Sequence, residues 1–350
     1  MGNTATFSEK FKTAKGNWDI FVVFIEHGLN ISAKGGVFSF IVPNKIIAAK
    51  YATLIREEIE NNCIIAIRDY SRVDVFANAF VYPCTIIGTK TKQNNNLIFA
   101  EMSSKDCINK YNVIPQATFN SCKYWDVFFN DSHTVDIIRK YLSEKAISKY
   151  GNISVTAAAT VSEAYQLKEI MFDADCLKAN CLQIVNTGTI DPYSNLWGIF
   201  PMQYIKNKYL YPQVAASDLK QMNGNRLNQA KHSKIIVAGM SKRIEAILDG
   251  GNTLAGKSTT IVLCDDFLLL KYILGIINSK LSTFCVSIIF NSLKMAGGFM
   301  NVATREVQTM TIPDVVDEAK YSVVELVDKI LTSKRTNPVA DTSDLEREID

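Results

Sequence analysis

The chain has 350 residues, which is enough for two domains or one large one. Hydrophobic residues make up 47% and charged residues 21%, a balance that is typical of a folded protein and excludes a disordered chain. The formal net charge is +3, from 38 Lys and Arg against 35 Asp and Glu. No overall basic field therefore favours nucleic acid, and any DNA contact must come from local clusters.

Eight cysteines and three histidines are spread along the chain without a C-x-x-C pair. A zinc site needs about four closely placed ligands, so we expect no metal and interpret the cysteines as free thiols of a cytoplasmic protein. The most apolar stretch, 261–290, is interrupted by four charged residues, Asp265, Asp266, Lys271 and Lys280. That interruption argues against a membrane span, and we expect no membrane partner.

Residues 36–90 follow a strand–helix–strand pattern. Strands are predicted at 37–43, 63–70 and 80–90, and the first of them is expected to be a central strand buried on both faces. The segment 44–62 places its apolar residues on one helical stripe, with Asn44 as a plausible N-cap. This order predicts an α/β fold with a mixed sheet.

Beyond this segment the pattern is less regular. The polar stretch 91–96 predicts a turn or linker, and we place one domain boundary near residue 92 and a smaller one near Pro313. The predicted domains are 1–92, 93–313 and 314–350. Helices are expected at 132–149, 267–285 and 315–334, and strands at 182–186, 234–240 and 259–264.

Residues 251–258 match the phosphate-loop expression GxxxxGK[ST]. In a nucleotide-binding loop of this kind, a helix follows whose N-terminal amides hold phosphate. Here the residues after Ser258 are β-branched and typical of a strand. We therefore interpret the segment as a Gly-rich hairpin turn and reject a nucleotide site.

Three basic segments lie in loops next to predicted strands. They contain Lys231, His232 and Lys234, then Ser241, Lys242 and Arg243, and finally Lys294 and Asn301. Cations at strand ends can neutralise phosphates while Ser and Asn side chains read base edges. Solvated loop charges explain each segment taken alone equally well, so the residues by themselves leave both interpretations open.

Two sets of motifs recur in a recognisable order. GNWDIFVVFIEHGLNISAKGGVFSFIVP and VDVFANAFVYPCTIIGTK, between residues 17 and 90, resemble the second half of a gamma-class DNA adenine-N6 methyltransferase domain of the type IIG, Eco57I kind. CLQIVNTGTIDPYSNLWG, KIIVAGMSKRIEAI, YILGIINSKLSTFC and GGFMNVATREVQTMTIP resemble the Taq-like target-recognition domain that follows it. The resemblance covers nearly the whole chain.

The resemblance implies a partial, Rossmann-like methyltransferase sheet, followed by an α+β target-recognition domain and a C-terminal helix. It further implies that Phe76 stacks on a flipped-out target adenine and that Phe24 lines the adenine pocket of S-adenosylmethionine. Double-stranded DNA is the implied partner. The family's Asn-Pro-Pro-Tyr loop and Gly-rich cofactor motif do not occur in this sequence, so we assign no catalytic residue and expect no cofactor to be bound by this chain alone.

We therefore predict the sequence-specific DNA-recognition part of a restriction–modification adenine-N6 methyltransferase, which needs an N-terminal catalytic half or a separate chain that supplies it. Two alternatives stay open: a complete activity reconstituted with that separate chain, and a DNA-binding specificity subunit that acts as an adaptor.

Overall fold

The computed structural model describes residues 4–76, 81–92, 96–103 and 110–350. The chain divides into two compact units. The first comprises residues 1–139 and 288–293, and the second comprises 140–287 and 294–350. Each unit is described by itself below.

The first unit holds one mixed sheet and its helices. Its elements are α1 (Thr4–Lys10), α2 (Ile20–Ile31), β1 (Val37–Pro43), α3 (Thr53–Glu60), β2 (Cys63–Asp69), β3 (Pro83–Thr89), β4 (Leu97–Met102), β5 (Lys110–Pro115), α4 (Gln116–Asn120) and the larger part of α5 (Ser132–Ser143). The sheet order is β1-β3-β2-β4-β5, with β2 and β4 parallel and the other neighbours antiparallel. The predicted α/β fold with a mixed sheet is confirmed. The domain boundary near residue 92 stays a prediction, and it falls between two strands of this sheet.

Strand β1 is an edge strand in the part of the chain that the structure describes, where it pairs with β3 alone. Its side chains alternate between the two faces: Phe38 and Val42 are buried, whereas Val37 is 71% and Ile41 is 52% exposed. The prediction of a strand buried on both faces is therefore wrong. A continuous apolar run conceals this alternation because both faces carry apolar residues.

The predicted helix at 44–62 begins later than expected. Residues Asn44–Ile47 and Lys50–Ala52 form 3-10 turns, and the α-helix starts at Thr53. The buried guanidinium of Arg56 donates hydrogen bonds to the carbonyls of Ile46, at 2.7 Å, and Ala49, at 3.0 Å. These carbonyls are thereby satisfied without a continuous helical ladder. Asn44 is buried and hydrogen-bonds Asp69, so its predicted N-cap role is wrong.

A late segment of the chain completes the first unit. The backbone amide of Ser292 donates to both carboxylate oxygens of the buried Asp126 at 3.1 Å, and its hydroxyl donates to one of them at 2.7 Å. The rings of Tyr124 and Phe290 meet edge to face at 5.5 Å. Residues 288–293 are therefore part of the packing of this unit, although they are far from it in sequence.

The second unit combines small sheets with helices. Its elements are β6 (Ser154–Ala157), α6 (Val161–Ile170), β7 (Cys181–Val185), β8 (Ile190–Asp191), β9 (Ser194–Asn195), β10 (Met202–Tyr204), β11 (Asn207–Tyr209), β12 (Gln213–Ala215), α7 (Ala216–Met222), α8 (Gly224–Lys231), β13 (Lys234–Ala238), β14 (Met240–Ser241), β15 (Ala246–Asp249), β16 (Thr253–Ala255), β17 (Thr259–Leu263), α9 (Phe267–Asn278), α10 (Lys280–Ile289), β18 (Met300–Asn301), α11 (Thr304–Thr309), α12 (Asp317–Thr336) and α13 (Ser343–Ile349).

The sheets of this unit are built around β13 and β7. Strand β13 lies inside an antiparallel sheet of order β15-β13-β17-β6, and all five of its residues are buried. Strand β7 lies between β12 and β16. The predicted strands at 182–186, 234–240 and 259–264 are confirmed as β7, β13 and β17, and the last predicted helix is α12.

Two predicted helices have different limits in the structure. The helix expected at 132–149 ends at Ser143, and the one expected at 267–285 is interrupted at Ser279 and resumes as α10. Helices α9 and α10 bend by 63° at this break. Within the described residues, no single helix is long and apolar enough to cross a membrane, although this bent pair passes the same test by length and composition.

Candidate nucleic-acid interface

A short strand pair brings two of the predicted basic segments together. Strands β14 and β18 are antiparallel, with Met240 opposite Asn301 and Ser241 opposite Met300. The amide of Val302 donates to the carbonyl of Gly239 at 3.0 Å and extends the pairing. We call residues 240–243 and 294–301 the β14–β18 surface. It joins segments about sixty residues apart in sequence.

The loop before β18 has a fixed shape. Gly297 and Gly298 have φ angles of 81° and 79°, a left-handed region that glycine adopts without the cost that a side chain adds. The amide of Met295 donates to the carbonyl of Phe299 at 2.8 Å. This turn leaves Phe299 38% and Met295 50% exposed. The Gly-Gly pair is therefore needed to present Phe299 at the surface.

Lys242 lies on this aromatic ring. Its ammonium is 5.4 Å from the ring centroid of Phe299, and the side chain is exposed. Such a cation–π contact is worth about 0.5–1 kcal/mol at an exposed site. It restricts the lysine to one region while it leaves the charge accessible to solvent or to a phosphate.

Arg243 makes an exposed ion pair with Asp191 at 3.2 Å, and its side chain is 53% exposed. Pairs of this kind contribute about 0–1 kcal/mol. A phosphate or a guanine edge that matches the guanidinium fork can therefore replace the carboxylate at little cost.

An acidic group lies two residues further along the chain. Burial raises the pKa of the Glu245 carboxyl to about 7, with a further rise from Asp191 and an opposing effect from Arg243. The charge beside Arg243 therefore changes in the neutral pH range. The carboxylate of Asp191 beside Arg243 was not anticipated from the sequence, because Asp191 belongs to the distant strand β8.

Lys234 is removed from the set of DNA contacts. Its side chain is fully buried and its ammonium makes an ion pair with Asp249, together with hydrogen bonds to the carbonyls of Ala230, at 3.0 Å, and His232, at 3.2 Å. Burial lowers the pKa of this lysine, and Asp249 partly offsets that effect. A group enclosed in this way cannot reach a phosphate, so the predicted role is wrong.

The predicted role of Ser241 as a DNA contact is also wrong. It is 4% exposed, and its hydroxyl donates to the backbone carbonyl of Arg243. Because this hydrogen bond is internal, the hydroxyl fixes the turn that carries Arg243 and does not face a partner. Asn301 is exposed on β18, and Lys294 is half-buried at the start of the loop.

Lys231 and His232 lie at the opposite end of β13 from the β14–β18 surface. Both are exposed, and Nδ1 of His232 is 2.7 Å from the carbonyl of Asn228. His232 lines a cavity of about 320 Å³ together with Asp265 and other residues. The structure therefore divides the predicted basic residues between two ends of one strand, and DNA binding by this end stays a prediction.

The two aromatic residues implied by the family resemblance are both exposed in the first unit. Phe76 is 44% exposed and lies in the link after β2, next to residues 77–80, which lie outside the described residues. Phe24 is 62% exposed on α2, and its ring meets Phe40 edge to face at 6.1 Å. Both rings are therefore accessible to a ligand, and their roles toward the target adenine and S-adenosylmethionine stay predictions.

In the segment that matches the phosphate-loop expression, two of the amides that could hold a phosphate are already engaged. The amides of Gly256 and Ser258 donate to Val185 and to the side chain of Asn186, at 2.7 and 3.2 Å. Strand β17 follows and not a helix, so the rejection on context is confirmed. The expected hairpin is wrong, because β16 and β17 belong to different sheets.

A known protein family matches the first part of the chain. Residues 2–76 match the family described as Eco57I restriction-modification methylase, which confirms for this segment the resemblance to Eco57I-like enzymes. No curated protein matches the chain. Within the described residues no cluster of metal-ligating side chains occurs.

Several solved structures match this chain at low sequence identity. The type IIL enzyme MmeI in complex with DNA is 11% identical, with a TM-score of 0.52 over 97% of this chain and 48% of MmeI, and this likeness shows a shared fold. The type IIG endonuclease BpuSI is 12% identical over 91% of this chain and 45% of BpuSI, with a TM-score of 0.38. The DrdV–DNA complex is 8% identical over 95% and 42%, with a TM-score of 0.44. The chain spans less than half the length of each.

Proposed function

We propose that this chain is the DNA-recognition part of a restriction–modification adenine-N6 methyltransferase and carries the second half of the methyltransferase sheet. The observation that carries the proposal is the β14–β18 pairing, which gathers Lys242, Arg243 and Asn301 onto one surface. The proposed partner is double-stranded DNA, and the proposed location is the cytoplasm.

The chemistry of this surface suits a duplex. Lys242 offers an accessible charge for a phosphate, whereas the fork of Arg243 matches either a phosphate or the O6 and N7 atoms of guanine. The exposed amide of Asn301 matches adenine N6 and N7. Phosphate contacts would set the register of the protein, and the two forked groups would contribute sequence preference.

The first unit would receive the target base. Methyl transfer to an amino group requires the adenine outside the duplex, and we propose that the exposed Phe76 ring stacks on it there. We propose that Phe24 contacts the adenine of S-adenosylmethionine, which supplies the methyl group when bound. No Asn-Pro-Pro-Tyr motif occurs in the sequence, so we expect no methyl transfer by this polypeptide alone.

A second candidate function is a specificity subunit that works with a separate catalytic chain. The exposed edge of β1 supports it, since Val37 and Ile41 are solvent-exposed on a strand that pairs on one side within the described residues. An unpaired edge of this kind can accept another strand. Stable, sequence-selective DNA binding by this chain alone would favour this candidate, whereas co-purification with a chain that carries Asn-Pro-Pro-Tyr would favour a complete activity reconstituted with that chain.

The proposal is tested by a salt titration on long mixed-sequence duplex DNA. Each phosphate contact contributes about 0.9 to the slope of log affinity against log salt. Replacing Lys242 and Arg243 together by alanine should weaken binding and flatten the slope by roughly 1–2 units. The matched control replaces Lys220 and Lys329, two exposed lysines on helices α7 and α12, and removes the same charge.

Two results would contradict the proposal. One is a wild-type chain that does not bind duplex DNA at 50 mM salt. The other is an equal slope in the Lys242/Arg243 variant and in the control, which would mean that only net charge matters. Transfer of a tritiated methyl group to adenine by the chain alone would refute the separate expectation of catalytic silence.

A further inference from the structure

A small β-hairpin of the second unit has two contrasting faces. Strands β10 and β11 are antiparallel, with Gln203 opposite Lys208. Met202 and Tyr204 are buried in the core of the unit, whereas Gln203 and Lys208 are exposed. Side chains opposite each other on one face of a strand pair are about 4.5–5.5 Å apart at Cβ. The exposed face therefore holds an amide and an ammonium side by side.

The tip of this hairpin has an unusual backbone. Ile205 and Lys206 have φ angles of 41° and 71°, as a two-residue hairpin turn requires, but such positions usually hold Asn or Gly. A β-branched residue there costs on the order of 1–3 kcal/mol. Ile205 packs against the buried cluster around Met202, which holds the turn in place. As a result Lys206 and Asn207 are exposed at the tip.

The base of the hairpin is held by hydrogen bonds on both strands. The carboxylate of Asp173 accepts from the amides of Leu210, at 3.0 Å, and Tyr211, at 2.6 Å. The amide of Gly198 donates to Leu210 at 2.9 Å. Tyr204 donates from its hydroxyl to the carbonyl of Ala164 at 3.1 Å. The hairpin is thus fixed to the unit while its exposed face stays open.

We propose that the β10–β11 hairpin is a second DNA-binding element, which lies in a groove of the duplex. The major groove is about 12 Å wide and admits a two-stranded ribbon. Lys206 and Lys208 would contact phosphates or guanine, and Gln203 and Asn207 would read adenine edges. This inference rests on the proposed function and adds an element that lies outside the β14–β18 surface.

The character of the exposed face favours DNA over a protein partner. Gln203 and Lys208 lie on this face, and Lys206 and Asn207 lie at the tip. These exposed groups are two ammonium groups and two amides, and lysine is depleted from the centre of protein–protein interfaces. The nearby carboxylate of Asp173 is engaged by two backbone amides, so it is already bound at the base of the hairpin. A rigid, cationic and amide-bearing ribbon complements a polyanion whose base edges carry donors and acceptors.

The charge of the hairpin is tested with Lys206→Asn combined with Lys208→Ala, because Asn tolerates the left-handed backbone at the tip. On long mixed-sequence duplex DNA, we expect the salt slope to fall by roughly 1–2 units. Lys208→Arg should retain the slope, since it keeps the charge. The control is again the Lys220→Ala and Lys329→Ala pair, and circular dichroism checks that each variant is folded.

Sequence reading is tested separately with Gln203→Ala in a selection from a randomised duplex pool. Loss of one bidentate contact should relax preference at one base pair by roughly 10- to 100-fold, with the salt slope unchanged. If wild type binds and the Lys242/Arg243 variant loses slope, but the hairpin variants match the control, this inference is overturned and the proposed function stands. If wild type does not bind duplex DNA, both fail.

Discussion

The two ends of strand β13 carry similar basic sequences and have opposite environments. At its start, Lys234 is fully buried and paired with Asp249. Beyond its end, Lys242 and Arg243 are exposed on a strand pair. The difference depends on the neighbouring segments: β15 supplies a carboxylate inside the sheet, whereas the loop before β18 supplies the exposed ring of Phe299. A basic segment beside a strand is therefore not in itself evidence of a nucleic-acid surface.

The largest expected effect comes from breaking the buried ion pair between Lys234 and Asp249. Asp249→Ala leaves the Lys234 ammonium buried without a counter-ion, and we expect the free energy of unfolding to fall by about 3–5 kcal/mol. Urea unfolding measures it. Lys234→Met combined with Asp249→Ala should recover much of the loss, because it removes the uncompensated charge.

The matched control for this prediction is Asp191→Ala, which breaks the exposed ion pair of Arg243. We expect a loss of at most about 1 kcal/mol, since water screens this pair. Equal destabilisation by the two alanine variants would contradict the contrast between a buried and an exposed end.

The second expected effect is a change in the free energy of unfolding with pH that depends on Glu245. Its pKa is raised from 4.5 to about 7 in the folded chain, so between pH 4.5 and 7 the folded state holds a proton that the unfolded state has lost. Stability therefore falls as pH rises through this window. We expect the free energy of unfolding of wild type, relative to Glu245→Gln, to drop by on the order of 1–2 kcal/mol between pH 5 and 8, because solvent screening of this partly exposed carboxyl reduces the full effect of the shift. A constant difference across this range would exclude the raised pKa.

A smaller effect is expected when one exposed lysine is removed from either end of β13. Lys242→Ala should lower the salt slope of DNA binding by about 0.9. Lys231→Ala should lower it by less, because the adjacent cavity that His232 lines also contains the carboxylate of Asp265, which repels phosphate. Parallel titrations on the same duplex measure both slopes. A larger loss for Lys231 would move the proposed interface to the start of β13.

The last prediction is that removing the Lys257 side chain leaves nucleotide binding unchanged. Lys257 is exposed, and the loop amides beside it already donate to Val185 and Asn186. We therefore expect Lys257→Ala and wild type to give the same flat isothermal titration with ATP and magnesium. Micromolar binding by wild type that the variant loses would restore the phosphate loop.

The positions of strands with continuous apolar runs were predictable from the sequence, but the strands with which they pair were not. The apolar runs at β7, β13 and β17 are found where the sequence places them. The edge position of β1 and the burial of Lys234 depend on which strands pair, and pairing is decided by segments far apart in sequence. The sequence identified Lys242, Arg243 and Asn301 as candidates, but their common surface arises from the β14–β18 pairing. Phe299 was missed, although its place beside Gly-Gly and opposite a basic turn is a usable signal.

The way in which the first unit is completed has a consequence for biosynthesis. Its segment 288–293 is separated from residue 139 by the whole stretch 140–287, and Asp126 receives hydrogen bonds from Ser292. A ribosome releases the start of a protein first, and domains generally fold in that order. Here the nascent sheet must wait until Ser292 has emerged before the buried Asp126 carboxylate acquires these donors. The first unit is therefore completed only after residues 140–287 of the second unit have been synthesised.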